Sequence, residues 1–389
     1  MIFSKNIFFK NFKKKIPSKK INKILKSIIK SKDSEVINSL KLNYHYSYSK
    51  KDIFKLKKKI KIIRLIGMGG SILGSKAIYN FLKSKIKIKV DFIDNLLPTI
   101  KSNKEKKILN IVISKSGNTL ETISNVNNLL KKNHKNIFIV ENSNNYLRVL
   151  ANKMKAEIID HNNFIGGRYS VLSEVGMLPA SLIGLNEKKF KQFNNLIKKK
   201  NFINALLNNV SNILYFVKTN KFNSIILNYD EDSEDFFRWY QQIVGESLGK
   251  KQKGIFPLIS SMPKDNHSLM QLYLDGPKKN FFTFFSVKEK SSNKIINNSI
   301  LQSHDYIKNK NFAGILEAQR IATEKVFDKN RIPFRSFEIS KRNEQVLGEL
   351  FTFFILETIL IGKYLNINPF DQPAVEEIKK ETKKILVNT

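Results

Sequence analysis

The sequence predicts an α/β protein built from two packed units. Its 389 residues exceed the size at which one hydrophobic core stops growing, so two cores are expected. Apolar runs with strand composition are repeatedly followed by a Gly, Ser or Thr turn and then by a segment with helical spacing. This alternation is typical of a mainly parallel sheet. Hydrophobic residues make up 41% of the chain, enough for large buried cores.

The N-terminal region, residues 1–50, is strongly basic, and its first acidic residue is Asp33. Segment 1–27 has none of the Arg residues typical of organelle transit peptides. It also lacks the uninterrupted apolar stretch of a secretory signal. We therefore expect this region to be helical, with a basic surface helix on a cytoplasmic protein.

The first α/β unit is predicted over residues 51–200. Its clearest strand–turn–helix segments lie at 61–82, 108–130 and 136–154. Each short apolar strand ends where a helix begins, and this edge of an open α/β sheet is where ligands bind. The first candidate site residues therefore lie in this unit.

The second unit is predicted over residues 201–389 and ends in a C-terminal helix. A Lys-, Asn- and Leu-rich segment with helical spacing, 186–220, precedes it, and the strand-to-helix pattern restarts at 222–250. The most apolar stretch, 351–365, contains two charged residues, so no membrane-spanning helix is predicted.

The absence of Cys limits the chemistry of the chain. It excludes disulfides, thiolate metal sites and cysteine nucleophiles, and it disfavours a secreted, disulfide-stabilised protein. Any catalysis must therefore come from carboxylates, His, Lys, Arg or hydroxyl groups.

The formal net charge of +36 would suit a nucleic-acid-binding protein. Such proteins usually enrich Arg, whose guanidinium pairs bidentately with phosphates and guanine. Here the excess is almost wholly Lys and accompanies heavy use of Asn, Ile and Phe, the composition that an A+T-rich genome encodes. We attribute the charge to genome bias and a solvated lysine surface, and we expect no specific nucleic-acid partner and no membrane.

Four polar side chains after a buried strand predict a phosphate-binding turn: Ser114, Lys115, Ser116 and Thr119. Backbone N–H groups at the start of the next helix and the positive end of its dipole attract an anion. Hydroxyls and one ammonium complete such a site. Ordinary N-capping also uses Ser or Thr at this place, so both interpretations stay open for each hydroxyl.

A second glycine-rich turn, Gly67–Ser71, lies earlier in the same unit. It begins like a dinucleotide-binding fingerprint but does not complete one, because Ile72 follows Ser71 and Gly74 comes too late. We expect its glycines to let the backbone approach a sugar phosphate, with Ser71 as a hydrogen-bond donor.

Three further residues have side chains and positions suited to acid/base chemistry. Glu246 precedes a glycine-broken helix end, Arg168 follows two glycines, and His267 lies in a polar turn. A carboxylate, a guanidinium and an imidazole are groups that an aldose–ketose isomerase needs. Such an enzyme moves a proton between adjacent carbons through an enediol, and it requires a carboxylate base, a cation for the developing oxyanion and groups that open the sugar ring. Each of the three residues also has an ordinary explanation, as a surface carboxylate, a turn-bracing cation or an exposed imidazole.

Longer motifs in the same order identify a family. Segments 166–179 (GGRYSVLSEVGMLP) and 362–379 (GKYLNINPFDQPAVEEIK) resemble the two signatures of the phosphoglucose isomerase family. Between them, GESLGK, GIFP and DNHS are similar to the family's catalytic segments. The resemblance runs from about Ile62 to Lys379, nearly the whole chain.

The resemblance implies two sugar isomerase (SIS) domains, each a three-layer α/β/α sandwich around a mostly parallel five-stranded sheet. It implies reversible isomerisation of D-glucose 6-phosphate and D-fructose 6-phosphate through ring opening and a cis-enediol, in glycolysis and gluconeogenesis, without metal or organic cofactor. It also implies a homodimer in which His267 is donated across the subunit interface.

The roles of the site residues are implied by the same resemblance. Glu246 matches the base that moves the proton between C1 and C2, and Arg168 matches the cation that stabilises the enediolate. His267 and Lys379 match the ring-opening residues. Contacts to sugar hydroxyls and phosphate are implied for Gln242, Gln372, Gly70, Ser71, Ser114, Lys115, Ser116 and Thr119.

One geometric expectation concerns the C-terminal motif. Gln372 and Lys379 are seven residues apart, which is two helical turns. We therefore expect both on one face of a terminal helix, pointing into the same cleft.

Two other functions remain open at this point. One is another SIS isomerase, acting on an amino-sugar phosphate or on mannose 6-phosphate as well as glucose 6-phosphate. It would have the same phosphate cradle, the turn Ser114–Thr119, and one sequence does not reveal discrimination at C2. The other is a non-catalytic SIS sugar-phosphate sensor. Such regulators normally carry a helix-turn-helix, and the first fifty or so residues show no convincing pair of helices of that kind. A sensor also has no need of Glu246, His267 and Lys379 together.

Overall fold

The computed structural model describes residues 1–14, 16, 18–31, 34–49, 51, 60–96, 107–131, 134–288, 292–295 and 301–388. Within these residues the named strands form two five-stranded sheets. The α/β class and the mainly parallel sheets predicted from the sequence are confirmed.

The first sheet is formed by parallel strands. They are β2 (Ile62–Ile66), β3 (Lys89–Ile93), β4 (Ile108–Ile113), β5 (Lys135–Val140) and β6 (Glu157–Asp160). Their order in the sheet is β3-β2-β4-β5-β6. Side chains of β2, β4 and β5 are almost all buried on both faces. This explains why these strands appear in the sequence as continuous apolar runs rather than alternating ones.

The second sheet has one antiparallel member among its described strands. The strands are β1 (Ile7–Lys10), β7 (Asn223–Asn228), β8 (Phe256–Ser261), β9 (Asn280–Val287) and β10 (Phe334–Ile339). Their order is β1-β10-β9-β7-β8, and β1 is antiparallel to β10. The N-terminal region thus contributes a strand to the second sheet, which the prediction of a helical region did not include.

Helices connect most of the strands. In the described part of the chain they are α1 (Lys19–Lys30), α2 (Glu35–Ser39), α3 (Leu73–Phe81), α4 (Leu120–Leu129), α5 (Tyr146–Lys153), α6 (Glu174–Leu182), α7 (Glu187–Phe190), α8 (Phe193–Ile197), α9 (Lys200–Lys218), α10 (Glu234–Leu248), α11 (Met270–Asp275), α12 (Phe312–Lys329), α13 (Glu344–Tyr364) and α14 (Val375–Asn388). The basic helix α1 buries Ile21, Leu25 and Ile28, so one face of it belongs to the core.

The helix α13 is long and apolar enough to cross a membrane, but 94% of its most apolar window is buried inside the protein. It packs against α1, α9 and α10 and is therefore a core helix. Its Glu357 forms a fully buried ion pair with Arg335 of β10. Asn209 and Tyr240 also donate hydrogen bonds to Glu357, as a buried carboxylate requires.

Helices α3 and α10 join the two sheets by packing against each other. Lys76 of α3 lies 3.7 Å from the Asp235 carboxylate of α10, and the Asn80 amide donates to the same carboxylate. The largest cluster of buried apolar side chains contains residues of both sheets, such as Ile111 and Phe285. The seam between the sheets is thus a packed interface, and the candidate site lies along it.

Candidate active site

The strand order of the first sheet reverses between β2 and β4. In open α/β sheets, ligands bind at the C-terminal ends of the strands at such a point. The turns that follow these two strands are Gly67–Ser71 and Ser114–Thr119. A Cβ atom built on Gly67 would lie 2.8 Å from the Ile113 carbonyl oxygen, so the two turns begin side by side.

The turn Ser114–Thr119 has the features of an anion-binding site. The Ser114 and Thr119 hydroxyl oxygens are 3.0 Å apart, and the Gly117 N–H donates to the Ser114 carbonyl oxygen at 3.2 Å. Thr119 is the N-cap residue of α4, yet its side chain makes no capping hydrogen bond. The Thr119 hydroxyl therefore does not act as an ordinary N-cap, and the first N–H groups of α4 are left for another acceptor.

The other side chains predicted to contact the phosphate, Lys115, Ser116 and Ser71, differ in their exposure to solvent. Lys115 Nζ lies 3.4 Å from Glu141 Oε1. Ser116 is exposed, and its hydroxyl accepts a hydrogen bond from the Asn118 N–H at 3.3 Å. Ser71, in the neighbouring turn, is buried. A phosphate bound in the turn would therefore compete with Glu141 for the Lys115 ammonium.

The turn Gly67–Ser71 connects the cradle to the acid/base residues. A Cβ on Gly70 would lie 2.2 Å from the carbonyl carbon of Gly167. Gly69 has a φ of +52°, and a Cβ there would lie 2.8 Å from Gln242 Nε2. These glycines allow close contact with protein groups. The predicted contact of Gly70 and Ser71 with a sugar phosphate stays a prediction.

Arg168 is 2% exposed, and every N–H donor of its guanidinium has an acceptor. A guanidinium held in this way has one orientation, because its five donors form a rigid planar fork. The acceptors are Ser247 Oγ (2.8 Å, from Nε), Glu246 Oε2 (3.1 Å) and Gln372 Oε1 (2.7 Å, both from Nη1), and the carbonyl oxygens of Pro369 (2.8 Å) and Asp371 (2.9 Å, both from Nη2).

Glu246 lies in the last turn of α10, which ends at Leu248. Its Oε1 accepts from Gln242 Nε2 at 2.8 Å, and its Oε2 accepts from Arg168 at 3.1 Å. The Glu246 side chain nevertheless remains 35% exposed. A carboxylate held by an amide and a guanidinium, and open on one side, is placed to exchange a proton with a ligand.

Three residues that contact this pair were missed by the sequence analysis. The indole N–H of Trp239 donates to the Arg168 carbonyl oxygen at 3.1 Å. The Tyr169 hydroxyl lies 2.8 Å from Ser247 Oγ. Tyr169 and Ser247 directly follow predicted site residues in GGRYS and GES, and this adjacency is the signal that the sequence offered.

The expectation that Gln372 and Lys379 share one helical face is wrong. The helix α14 begins at Val375, so Gln372 lies before it. Gln372 is followed by Pro373, and the residue before a proline disfavours the helical conformation. Gln372 reaches the site from the preceding loop, through its hydrogen bond with Arg168.

Two predicted catalytic residues lie apart from the Arg168–Glu246 pair. The Lys379 side chain is 67% exposed, and its Nζ pairs with Glu376 of the same helix at 2.6 Å. His267 is exposed in a short turn. In the described part of the chain, no hydrogen bond or ion pair joins either residue to Arg168 or Glu246.

The site thus combines a helix N-terminus with hydroxyls and one ammonium, and a carboxylate paired with a buried guanidinium. The first set of groups suits a phosphate, and the second suits proton transfer next to a developing negative charge. Among the described residues, no group of three or more His, Asp or Glu is placed to hold a metal ion.

Sequence comparison identifies relatives over most of the chain. The profile of the family described as Phosphoglucose isomerase matches residues 48–261. A glucose-6-phosphate isomerase from Methanocaldococcus jannaschii is 35% identical over 332 residues, which cover 81% of this chain and 82% of that protein. A glucose-6-phosphate isomerase from Mycoplasmopsis synoviae is 30% identical over 377 residues, which cover 87% of each.

Solved structures show the same fold at lower sequence identity. A hypothetical protein from Thermus thermophilus superposes with a TM-score of 0.80 at 20% identity, covering 94% of both chains. A glucose-6-phosphate isomerase from Chlamydia trachomatis superposes with a TM-score of 0.70 at 18% identity, covering 86% of this chain and 71% of that one.

Proposed function

The chain belongs to the phosphoglucose isomerase family, and from that premise we propose that it interconverts D-glucose 6-phosphate and D-fructose 6-phosphate. The observation that carries the proposal is the Glu246 carboxylate, held by Gln242 and Arg168 and partly open to solvent. The turn Gly67–Ser71 links this carboxylate to the phosphate cradle. The chain is therefore an isomerase with separate groups for phosphate binding and proton transfer.

The phosphate of the substrate binds in the turn Ser114–Thr119. There the first N–H groups of α4 and the hydroxyls of Ser114 and Thr119 surround a dianion, and Lys115 exchanges Glu141 for it. Binding at this end fixes the opposite end of the sugar, C1 and C2, relative to Glu246.

Glu246 is the general base. In open-chain glucose 6-phosphate it takes the proton from C2, the electrons of that bond form the C1=C2 double bond, and the C1 oxygen gains negative charge and then a proton. The cis-enediol loses the proton of its C2 hydroxyl and receives the Glu246 proton at C1, which gives the C2 carbonyl of fructose 6-phosphate. One carboxylate thus serves both carbons.

The charge of Arg168 is balanced by different groups before and after proton transfer. In the resting site the Glu246 carboxylate lies 3.1 Å from the guanidinium. Once Glu246 is protonated, the negative charge lies on the enediolate, and the same buried cation stabilises it. Because protein groups already hold the guanidinium in place, no reorientation is needed at that moment.

Ring opening is assigned in this proposal to His267 of a second subunit. His267 is exposed close in sequence to β8, a sheet edge among the described strands, whose Phe256 is 64% exposed. Leu258 of the same strand and Leu272 of α11 are also exposed. An edge strand with apolar side chains is typical of protein interfaces. These features support a homodimer in which His267 enters the partner's site.

Lys379 takes part in ring opening only if α14 approaches Arg168. None of the residues of α14 is buried, so such a movement would break no core packing. We also propose that the enzyme is cytoplasmic, which agrees with the absence of Cys from the chain.

The proposal is tested by an isomerisation assay. Fructose 6-phosphate is supplied, and glucose 6-phosphate is detected with a coupled dehydrogenase, for the native chain, Glu246→Gln and Glu234→Gln. Glu234 is a half-exposed carboxylate at the start of the same helix, paired with Arg238, so it controls for the change of charge on α10. We expect kcat to fall by about 10²- to 10⁴-fold in Glu246→Gln and to stay near native in Glu234→Gln.

Binding and substrate choice complete the test. Glucitol 6-phosphate has the phosphate and hydroxyls of the substrate but no carbonyl, so its Kd should be similar in native protein and Glu246→Gln. A native chain that binds this ligand without turning over fructose 6-phosphate would contradict the proposal and indicate a sensor. Mannose 6-phosphate, assayed in parallel, determines whether the enzyme is selective at C2.

A further inference from the structure

Three buried side chains, Arg168, Ser247 and Tyr169, are joined by a continuous line of hydrogen bonds. Arg168 Nε donates to Ser247 Oγ at 2.8 Å. Ser247 Oγ lies 2.8 Å from the Tyr169 hydroxyl, and this hydroxyl donates to the Pro369 carbonyl oxygen at 3.1 Å. The line connects the GGRYS segment, the helix α10 and the loop before α14.

The direction of every proton in this line can be assigned. The Pro369 carbonyl only accepts, so the Tyr169 proton points to it, and the Tyr169 oxygen then accepts the Ser247 proton. The Ser247 oxygen in turn accepts from Arg168. Burial raises the pKa of Tyr169 to about 12, so its hydroxyl keeps the proton on which this order depends.

Burial makes the arrangement specific. Tyr169 and Ser247 are both fully buried. If one of them loses its hydrogen-bond partner, water does not take the partner's place, and the unsatisfied hydroxyl costs free energy. Ser247 also directly follows Glu246 on α10. Two successive residues of one helix therefore bind two different nitrogens of the same guanidinium, Glu246 at Nη1 and Ser247 at Nε.

This geometry indicates a role for Ser247 although the residue is buried. Three of the five guanidinium donors bind the loop before α14, so only Glu246 and Ser247 tie Arg168 to α10. The bond to Glu246 changes when this carboxylate takes up a proton, whereas the bond from Nε to Ser247 Oγ does not. We propose that Ser247, oriented by Tyr169, is a positioning residue that fixes the plane of Arg168 relative to Glu246 during proton transfer. The inference rests on the proposed isomerase function.

The first measurement compares Ser247→Ala and Tyr169→Phe with the native chain. We expect kcat to fall by about 10- to 100-fold in Ser247→Ala, since a small misplacement of a catalytic group costs about this much. The KM and the Kd for glucitol 6-phosphate should change by less than about 3-fold, because neither residue belongs to the phosphate cradle. Tyr169→Phe should show a smaller fall in the same parameter.

The control is Ser211→Ala. Ser211 is a buried serine of α9, and its hydroxyl has no hydrogen-bond partner among the residues that the structure describes. Ser211→Ala deletes one hydroxyl from the core, as Ser247→Ala does, but it does not touch Arg168. The kcat should therefore stay within about 2-fold of native. Assays are run at least about 10 °C below the unfolding midpoint of each variant, so that activity is not lost by unfolding.

A double-mutant cycle separates positioning from a general structural role. Lys has no counterpart of the Arg168 Nε–H, so Ser247 has nothing to hold in Arg168→Lys. We expect Ser247→Ala to lower kcat by less than about 2-fold in that background. An equal loss in both backgrounds, or a loss in KM instead of kcat, would overturn the inference. If the native chain itself fails to isomerise fructose 6-phosphate, the proposed function fails instead.

Discussion

Lys191 is an ammonium-bearing side chain held in the interior between two aromatic rings. Its Nζ lies 4.8 Å from the ring centroid of Tyr44 and 4.9 Å from that of Tyr46, and it donates to the carbonyl oxygens of Ser39 and Leu172. Burial lowers the pKa of Lys191 from 10.5 to about 7, although Glu174 and Glu187 oppose this shift. The protonation state of Lys191 therefore differs between the folded and the unfolded chain at neutral and mildly alkaline pH.

Replacing Lys191 by Met should change how stability depends on pH. Between about pH 7 and 10 the unfolded chain keeps a proton that the folded chain has lost, so this residue makes the free energy of unfolding rise with pH. We expect the slope between pH 7.5 and 9.5 to fall by about 1 kcal/mol per pH unit in Lys191→Met. Urea unfolding at several pH values measures it.

Lys188→Met is the matched control for this change. Lys188 is exposed on the adjacent helix α7, so Lys188→Met removes one positive charge from the same region and leaves the buried ammonium of Lys191 in place. The upper limit of pH 9.5 avoids the buried Tyr44 and Tyr46, whose pKa values burial raises. Parallel curves for native protein and Lys191→Met would show that the lysine does not titrate in this window.

The function of a single residue could be predicted from the sequence where the residue lies in an unusual local motif. It could not be predicted where only burial in the folded chain distinguishes the residue. Glu246 and Arg168 were found because GES and GGRYS are unusual local patterns. Lys191 lies in KKFKQ, which looks like many other lysine-rich segments of the chain. Its environment is created by Tyr44 and Tyr46, nearly 150 residues away along the chain, so no local pattern contains it.

At the scale of elements, Gly117 shapes the turn between β4 and α4. Its φ is +64°, and a Cβ there would lie 1.8 Å from Asn145 Oδ1, the atom that accepts from the Arg148 N–H and caps α5. We expect Gly117→Ala to raise the KM for fructose 6-phosphate and to destabilise the protein by about 1–3 kcal/mol, because it adds a clash to the backbone strain. Steady-state kinetics and thermal unfolding measure both effects.

Gly184→Ala separates the clash from the strain. Gly184 has a φ of +97°, and no atom of the described residues lies within 4 Å of its Cβ position. Gly184→Ala should lower the free energy of unfolding by the backbone strain alone, about 1 kcal/mol, and leave the KM unchanged. Equal effects of the two substitutions on KM would mean that the turn of Gly117 does not bind the phosphate.

The helix α14 offers a test of Lys379. Lys379 and Lys383 both lie on this helix, which has no buried residue, so their effects on folding should be similarly small. If α14 closes on the site, Lys379→Met should lower kcat by about 10-fold or more while Lys383→Met stays within about 2-fold. Indistinguishable kcat values for the two variants would remove Lys379 from the mechanism.

Elements were predictable where strand and helix signals alternate, as in the three segments of the first unit. The strand β1 was missed because IFFK is a short run in a lysine-rich region, and it becomes a strand by pairing with β10. The strand order was likewise not predicted, since periodicity does not contain pairing partners. The start of α14 was placed too early because Pro373 was not used as a helix boundary.

At the scale of the whole molecule, the candidate site belongs to neither sheet alone. The cradle follows strands of the first sheet, Glu246 lies on α10, and Gln372 comes from the loop before α14. Arg168 binds the last two regions together through Glu246 and Gln372. The sequence predicted these groups one by one, but their meeting depends on the packing of α3 against α10.

The proposed dimer predicts recovery of activity by mixing two inactive variants. Glu246→Gln and His267→Ala are each expected to be inactive. If His267 acts in the partner's site, a mixed dimer has one site with both native residues, and random reassociation should restore about a quarter of native activity. Unfolding and refolding the two variants together, followed by the isomerisation assay, measures this.

Refolding each variant alone is the control for the mixing experiment. No recovery in the mixture, with dimers present by light scattering, would mean that His267 acts in its own subunit or not at all. A chain that is monomeric by light scattering would contradict the proposed dimer itself.

The antiparallel pair of β1 and β10 has a consequence for biosynthesis. The strand at Ile7–Lys10 is synthesised before its partner, which begins at Phe334. At about 5–20 residues per second it waits for that partner on the order of 15–60 s. During that time Phe3 and Phe9 lack Phe337 and its neighbours, against which they pack in the folded chain. We expect the lysines interspersed among these rings to act as gatekeepers that keep the nascent segment from aggregating.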